Sequence, residues 1–181
     1  KAPFLWSPAD FCTGADHDKP FVFHALAEAD TLRLGSALAD VLPRGSIVGL
    51  AGTLGAGKTR LVQAVASASG IDVRTVVSPT YLILQEYQGK RTIFHFDLYR
   101  LRDEDEYLEL GPEEYFERSD LTFLEWADRF EQFLPEDRLD ISIVIVEKNK
   151  RDFQFTPHGE KYISAIDNLQ THAAFLCWKA D

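Results

Sequence analysis

Short apolar runs alternate with amphipathic stretches along most of the chain, and this alternation predicts strands and helices in turn. The apolar runs predict strands at residues 21–25, 47–51, 81–87, 91–98, 121–124, 139–147 and 151–155. Helical spacing and composition predict helices from Asp30 or Thr31 to Val41, from Lys58 to Ser69, and at 103–110, 112–116, 127–133 and 160–169. Turn residues at 88–90 and 148–150 predict two antiparallel hairpins. Together these elements predict an α/β sandwich with a largely parallel central sheet plus antiparallel hairpin strands.

One segment between a predicted strand and a predicted helix carries a complete Walker A pattern, G-x-x-x-x-G-K-[ST]. Its residues are Gly52, Thr53, Leu54, Gly55, Ala56, Gly57, Lys58 and Thr59. In such a loop the backbone N–H groups converge on phosphate oxygens, the lysine reaches the β- and γ-phosphates, and the threonine hydroxyl ligates Mg²⁺. The pattern therefore predicts a P-loop NTPase-like three-layer sandwich that binds a nucleoside di- or triphosphate.

A Walker A loop needs a carboxylate at the end of a neighbouring strand to hold Mg²⁺ or its water shell. Two acids follow apolar strands: Asp97, which shares a strand face with His95, and Glu125, which precedes Trp126. Either acid is a candidate for the magnesium carboxylate, and the other is then a candidate for positioning the attacking water.

A further candidate element is the tetrapeptide Ser78-Pro79-Thr80-Tyr81. Thr80 offers a hydroxyl that would sense a γ-phosphate if the segment acted as a switch loop, whereas the simpler interpretation is a turn that leads into a strand. Arg100 and Arg102 follow Asp97 closely and are expected to pair with the acids that come after them.

Composition limits the classes of partner. The chain has 181 residues, 45% of them hydrophobic, enough for the core of one domain, and a net charge of −10 that disfavours direct, extensive binding of tRNA or DNA. Two cysteines without metal-ligand spacing predict a reduced, cytoplasmic protein, and no apolar run is long enough for a membrane helix. The expected division is an N-terminal extension at 1–20, a P-loop domain at 21–170 and a C-terminal tail at 171–181.

Four motifs together resemble the TsaE (YjeE) family, the ATPase of tRNA threonylcarbamoyladenosine synthesis in bacteria. They are the Walker A element with the preceding Leu50-Ala51, the tetrapeptide at 78–81, the segment His95-Phe96-Asp97-Leu98-Tyr99-Arg100-Leu101, and Leu124-Glu125-Trp126. They occur in the family's order and at similar spacing, and the resemblance spans roughly residues 21–160.

The resemblance implies an ATPase that is slow alone and works with the TsaD and TsaB proteins, meeting tRNA only through that complex. Its cofactors would be ATP and Mg²⁺. Asp97 would be the Walker B-like acid, Glu125 and Trp126 a second functional pair, and Thr80 part of a mobile switch segment. The implied catalytic residues are Lys58, Asp97 and Glu125; the metal ligands are Thr59, Asp97 and Glu125; the nucleotide contacts are residues 52–59, Thr80 and Trp126.

Two departures from the family's pattern lie in the loop and the following helix. Thr53 stands where the family usually has Asp or Asn, and Arg60 replaces a common second threonine, where we expect an exposed helix turn to tolerate it.

Three rival functions are a GTPase, a small-metabolite kinase and an adaptor that binds nucleotide only for structure. The segment Asn149-Lys150-Arg151-Asp152 matches the N-K-x-D motif of GTPases, but no Asp stands three residues before a glycine, as their D-x-x-G motif requires. A kinase would need a lid richer in arginine than Arg100 and Arg102 provide.

Overall fold

A computed structural model describes residues 21–117 and 120–178, with side chains described up to residue 171. The predicted extension at 1–20 lies outside the described residues. The strands are β1 (Phe21–Ala25), β2 (Ile47–Ala51), β3 (Leu84–Tyr87), β4 (Ile93–Asp97), β5 (Leu121–Glu125), β6 (Arg138–Glu147) and β7 (Lys150–His158). The helices are α1 (Glu28–Val41), α2 (Lys58–Ala68), α3 (Glu104–Glu109), α4 (Glu113–Phe116) and α5 (Glu160–Trp178), with 3₁₀ segments at Val73–Thr75 and Ala127–Phe133.

The seven strands form one sheet in the order β1-β7-β6-β2-β5-β4-β3. The pairs β6–β2, β2–β5 and β5–β4 are parallel, whereas β3, β7 and β1 join the sheet as antiparallel strands. The parallel strands β2, β4 and β5 are almost wholly buried, as parallel strands covered on both faces are. The predicted fold class, with its largely parallel centre and antiparallel hairpin strands, is confirmed.

Alternation along the strands sends side chains into two separate cores, one on each face of the sheet. Leu38, Val65 and Ile166 bring α1, α2 and α5 into the first core. Tyr107 of α3 and Phe130 of the second 3₁₀ segment belong to the other core. The molecule therefore has three layers, and the carboxyl ends of its parallel strands share one edge of the sheet.

Several predicted boundaries differ from the structure. The strand predicted from residue 81 begins at Leu84, because Ile83 has a left-handed φ of 67° and its N–H donates to the Pro79 carbonyl at 2.6 Å, closing a turn. Helix α1 begins at Glu28, and Asp30 lies inside its first turn, where its carboxylate accepts hydrogen bonds from the N–H groups that precede the helix.

Two other elements also differ from their predicted form. The segment after Trp126 is 3₁₀ rather than α-helical, with non-helical angles at Phe130. Helix α5 continues to Trp178, so the boundary predicted for the C-terminal tail falls inside a helix.

Candidate functional site

The Walker A residues form a loop between the end of β2 and the start of α2. Three glycines of the loop have positive φ, 141° at Gly52, 77° at Gly55 and 112° at Gly57. At Gly52 a Cβ atom would stand 2.5 Å from the Ile143 carbonyl oxygen, whereas the space at the other two is open. Glycine is therefore required at Gly52 by both packing and backbone angle, and at the other two by backbone angle alone.

The Lys58 side chain curls back into the loop and is only 4% exposed. Its ammonium donates to the carbonyl oxygens of Gly52 at 2.6 Å and Thr53 at 3.1 Å, and it lies 3.7 Å from the centre of the Trp126 ring. A buried cation held by two carbonyl oxygens inside a glycine loop is placed to meet an anion there.

Burial lowers the pKa of Lys58, because an ammonium removed from water loses its hydration. The nearby carboxylates of Glu125, Asp97 and Asp128 act in the opposite direction, with Glu125 the largest of the three. An added phosphate group would favour the charged form of Lys58 in the same way.

Glu125 is the last residue of β5 and lies directly behind the Walker A threonine. Its Oε1 accepts a hydrogen bond from the Thr59 hydroxyl at 2.7 Å, and the His95 Nε2 lies 2.8 Å from the same oxygen. His95 is fully buried, and its Nδ1 has no hydrogen-bond partner among the described residues. The Nε2–H tautomer, which donates to the carboxylate, is therefore the form that this geometry favours.

Asp97 occupies the matching place on β4, opposite Glu125 in the parallel register, but it has different partners. Its Oδ2 accepts from the hydroxyls of Ser78 at 2.7 Å and Thr80 at 2.6 Å, and its Oδ1 accepts from the Tyr99 N–H at 3.0 Å. The two candidate acids are thus neighbours: Glu125 is bound to the Walker A threonine, and Asp97 to the segment that contains Thr80.

Trp126 turns the chain sharply after β5. It has a left-handed φ of 61°, and its ring packs 4.9 Å from that of Tyr99. Arg129, which the sequence did not single out, donates to the carbonyl oxygens of Leu98, Tyr99 and Leu101 and so holds the loop after β4. No local pattern marks Arg129, because its acceptors lie some thirty residues earlier in the chain.

The two arginines of that loop differ in their contacts. Arg102 pairs with Glu106 of α3 at 3.5 Å, as predicted. The Arg100 guanidinium instead lies 4.7 Å from the centre of the ring of Tyr81, the residue that follows Thr80.

A cavity of about 240 Å³ adjoins the loop. It is lined by Glu28, Thr31, Gly55, Ala56, Gly57, Arg60, Lys148, Asn149, Arg151 and Phe153. The turn between β6 and β7 forms one wall, and the Arg151 Nε donates to the Ala56 carbonyl oxygen at 3.0 Å. The hairpin therefore contributes to the site, a role that its sequence did not predict beyond the N-K-x-D match.

The N-K-x-D match does not have the geometry of a guanine site. Asn149 lines the cavity, but Asp152 alternates to the other face of β7 and accepts a hydrogen bond from His24 at 2.7 Å. The acid that would recognise guanine thus points away from the cavity.

Arg60 lies at the cavity rather than on a freely exposed helix turn. Its guanidinium pairs with Glu28 at the start of α1, and its Nη1 donates to the Gln63 side chain at 3.0 Å. The expected exposure is found in part, because the Arg60 side chain is 35% exposed while it lines the cavity.

A family model described as "Threonylcarbamoyl adenosine biosynthesis protein TsaE" matches residues 26–153. The chain belongs to the TsaE family. The matched range contains every residue of the site described above. The predicted family membership is confirmed, and with it a place in tRNA threonylcarbamoyladenosine biosynthesis.

Similar TsaE proteins from other bacteria support the same family assignment. The tRNA threonylcarbamoyladenosine biosynthesis protein TsaE of Bacillus subtilis is 39% identical over 129 residues, which cover 71% of this chain and 80% of that protein. The protein of that name from Synechocystis is 46% identical over 104 residues, or 54% of this chain and 64% of that protein. The crystal structure of Bacillus subtilis YdiB superposes with a TM-score of 0.73 at 29% identity, covering 86% of this chain and 97% of that one.

The side-chain clusters and the helices of the TsaE chain bear on metal and membrane binding. Among residues 21–117 and 120–178, no group of three or more His, Cys, Asp or Glu side chains is arranged to hold a metal ion. Mg²⁺, however, is commonly bound by one or two carboxylates together with hydroxyl and phosphate oxygens. Within the same residues, no helix has the length and apolar character needed to cross a bilayer.

Proposed function

We propose that the chain is a magnesium-dependent ATPase that serves tRNA threonylcarbamoyladenosine synthesis together with the TsaB and TsaD proteins, without performing the transfer itself. The observation that carries this proposal is the juxtaposition of Lys58, Thr59 and Glu125. A buried ammonium and the hydroxyl of the next residue stand beside a carboxylate, within a loop whose glycines leave the backbone open.

The residues present fit ATP phosphates. The open space at Gly55 and Gly57 leaves the loop backbone accessible, and α2 begins at Lys58, so its first N–H groups face the same region. Lys58 would hold the β- and γ-phosphates in place of the two carbonyl oxygens, because charged phosphate oxygens are stronger acceptors. The net negative charge of the chain elsewhere does not oppose this, since screening confines surface charges to short range.

The two acids take different roles in this proposal. Glu125 serves the metal side of the site, because its Oε1 lies 2.7 Å from the Thr59 hydroxyl. Bound Mg²⁺ would neutralise the charge that develops on the phosphate oxygens. Asp97 restrains the segment that carries Thr80 through two hydroxyl hydrogen bonds, which places that segment to respond to the γ-phosphate.

The nucleoside is assigned to the cavity beside the loop. The cavity adjoins Gly55, Ala56 and Gly57, where the phosphates would lie, and its lining includes the exposed Asn149 and the partly exposed Arg60. The displacement of Asp152 from this cavity favours ATP over GTP.

The test is ATP turnover by the purified chain, alone and with the matching TsaB–TsaD pair. We expect slow turnover alone, a rise with the pair, and loss of both in Lys58→Ala but not in Lys161→Ala, which removes an exposed lysine of α5. Turnover in Lys58→Ala equal to wild type would contradict the site. Phosphate appearing on a small metabolite would indicate a kinase, and preference for GTP in competition would indicate a GTPase.

A further inference from the structure

The cavity beside the Walker A loop contains an ion pair that the proposed function does not use. Glu28 is the first residue of α1 and Arg60 lies in the first turn of α2, and both line the cavity. The opposite wall is formed by Lys148 and Asn149 of the β6–β7 hairpin. A group attached to a phosphate in the loop would extend between these two walls, past the Arg60 guanidinium.

Three cationic side chains line this cavity, those of Arg60, Lys148 and Arg151, and the two arginines differ in how firmly their hydrogen bonds hold them. The Arg151 guanidinium is held by backbone carbonyl oxygens, including Ala56 at 3.0 Å and Glu147 at 2.9 Å. Arg151 therefore links the β6–β7 hairpin to the Walker A loop. Among the described residues, Arg60 donates to side chains only: its Nη1 to Gln63 at 3.0 Å and its Nη2 to Glu28. Because both partners of the Arg60 Nη groups are side chains and not backbone carbonyl oxygens, these groups are less firmly held than the Arg151 guanidinium and can turn to an anion in the cavity.

The ion pair between Arg60 and Glu28 is weak. The Glu28 side chain is 68% exposed and that of Arg60 is 35% exposed, so water competes for the pair. Exposed ion pairs of this kind contribute little to stability and exchange readily. A phosphate group offers more negative charge and more acceptor oxygens, and the planar guanidinium can bind it through two parallel hydrogen bonds.

We propose that Arg60 binds the phosphate nearest the nucleoside and that Glu28 competes with this phosphate for the same guanidinium. The inference rests on the proposed nucleotide site and adds a residue pair that sets its affinity. Glu28 is then an internal competitor: it weakens nucleotide binding while it pairs with Arg60, and it moves into water when the phosphate takes its place.

The test is a double-mutant cycle on nucleotide affinity, measured by isothermal titration calorimetry with ADP and with ATP and magnesium. We expect Arg60→Gln to weaken both nucleotides about tenfold, because one charge-assisted pair to phosphate is lost. Glu28→Gln should tighten both about threefold, because the competitor has lost its charge. In the Arg60→Gln background, Glu28→Gln should change nothing.

The control is Arg33→Gln, which removes the same charge from an exposed pair with Asp30 on α1, away from the cavity. Urea unfolding of each variant checks that the fold is retained, and Glu28→Gln keeps the test decisive if Arg60→Gln is unstable. An unchanged affinity in Arg60→Gln overturns the inference alone, as does an effect of Glu28→Gln that persists without Arg60. A wild-type chain that binds neither nucleotide would overturn the proposed function and this inference with it.

Discussion

Glu125 combines a structural role with a proposed functional one, and two substitutions separate them. Its Oε1 accepts from the Thr59 hydroxyl at 2.7 Å and from the His95 Nε2 at 2.8 Å. In Glu125→Gln an amide oxygen replaces that acceptor with the same shape, so both hydrogen bonds can persist. In Glu125→Ala both are lost. The first variant removes the charge, and the second removes the charge and the geometry.

The expected magnitudes follow from burial. Glu125 is 3% exposed and His95 is fully buried, so the alanine variant leaves a buried N–H with no acceptor beside an Nδ1 that already lacks a partner. One unsatisfied buried donor plus a lost bond to a charged acceptor lowers the free energy of unfolding by about 3 kcal/mol. We expect Glu125→Gln to lie within about 1 kcal/mol of wild type. Both variants remove the negative charge beside Lys58, so the loss of this charge cancels in the difference between their free energies of unfolding.

Urea unfolding followed by far-UV circular dichroism, at neutral pH and without nucleotide, measures the stabilities. Glu109→Gln, at an exposed position of α3, is the matched control for loss of a carboxylate. Magnesium-dependent ATP turnover should fall in both Glu125 variants, because both lack the charge that the proposed metal site needs. If Glu125→Gln is as destabilised as Glu125→Ala, the hydrogen-bond argument is refuted and the charge itself holds this region together.

Three further predictions concern the loop, the Thr80 segment and pH. Gly52→Ala should lower the free energy of unfolding by about 3 kcal/mol, because its Cβ would lie 2.5 Å from a β6 carbonyl oxygen and φ is 141°. Gly55→Ala, where the space is open, should lower it by only about 1 kcal/mol. Equal losses in urea unfolding would contradict the packing argument. Thr80→Val removes one hydroxyl donor from Asp97, so amide hydrogen exchange should accelerate across residues 78–83, and an unchanged rate would show that this bond does not order the segment. Burial lowers the pKa of Lys58, so with rising pH the folded chain releases this proton before the unfolded chain does. The free energy of unfolding, relative to that of Lys58→Met, should therefore rise as the pH approaches the ordinary lysine value of 10.5. A fall over that pH range would contradict the lowered pKa.

Much of the site was predictable from sequence because its signals are local. The Walker A residues are contiguous, and their glycines take the positive φ values that the pattern requires. Asp97 and Glu125 end apolar strands, and parallel strands bring their carboxyl ends to one edge, so their proximity followed from topology. That Arg102 would pair with a nearby acid was likewise predictable, because several acids follow it directly in the chain.

Other contacts could not be predicted, because they join residues that are far apart in the chain and share no periodicity. Arg129 reaches back to the loop after β4, and Arg151 reaches the Walker A loop from β7. The strand predicted at 81–83 failed for a different reason. Apolar residues there favour a strand, but the turn at Ile83 and the hydrogen bonds of Thr80 to Asp97 hold that segment in another conformation.

By itself, the sequence determined the α/β alternation, the phosphate-binding loop and the pair of strand-end acids, because periodicity and contiguous motifs report local backbone preference. Only the tertiary structure decided that Glu125 rather than Asp97 contacts Thr59, that Asp152 turns away from the cavity, and that Arg60 pairs with Glu28. Those outcomes depend on which strand lies beside β2 and on which face each side chain emerges. Strand order is set by packing of the whole chain, and a local sequence pattern does not determine it.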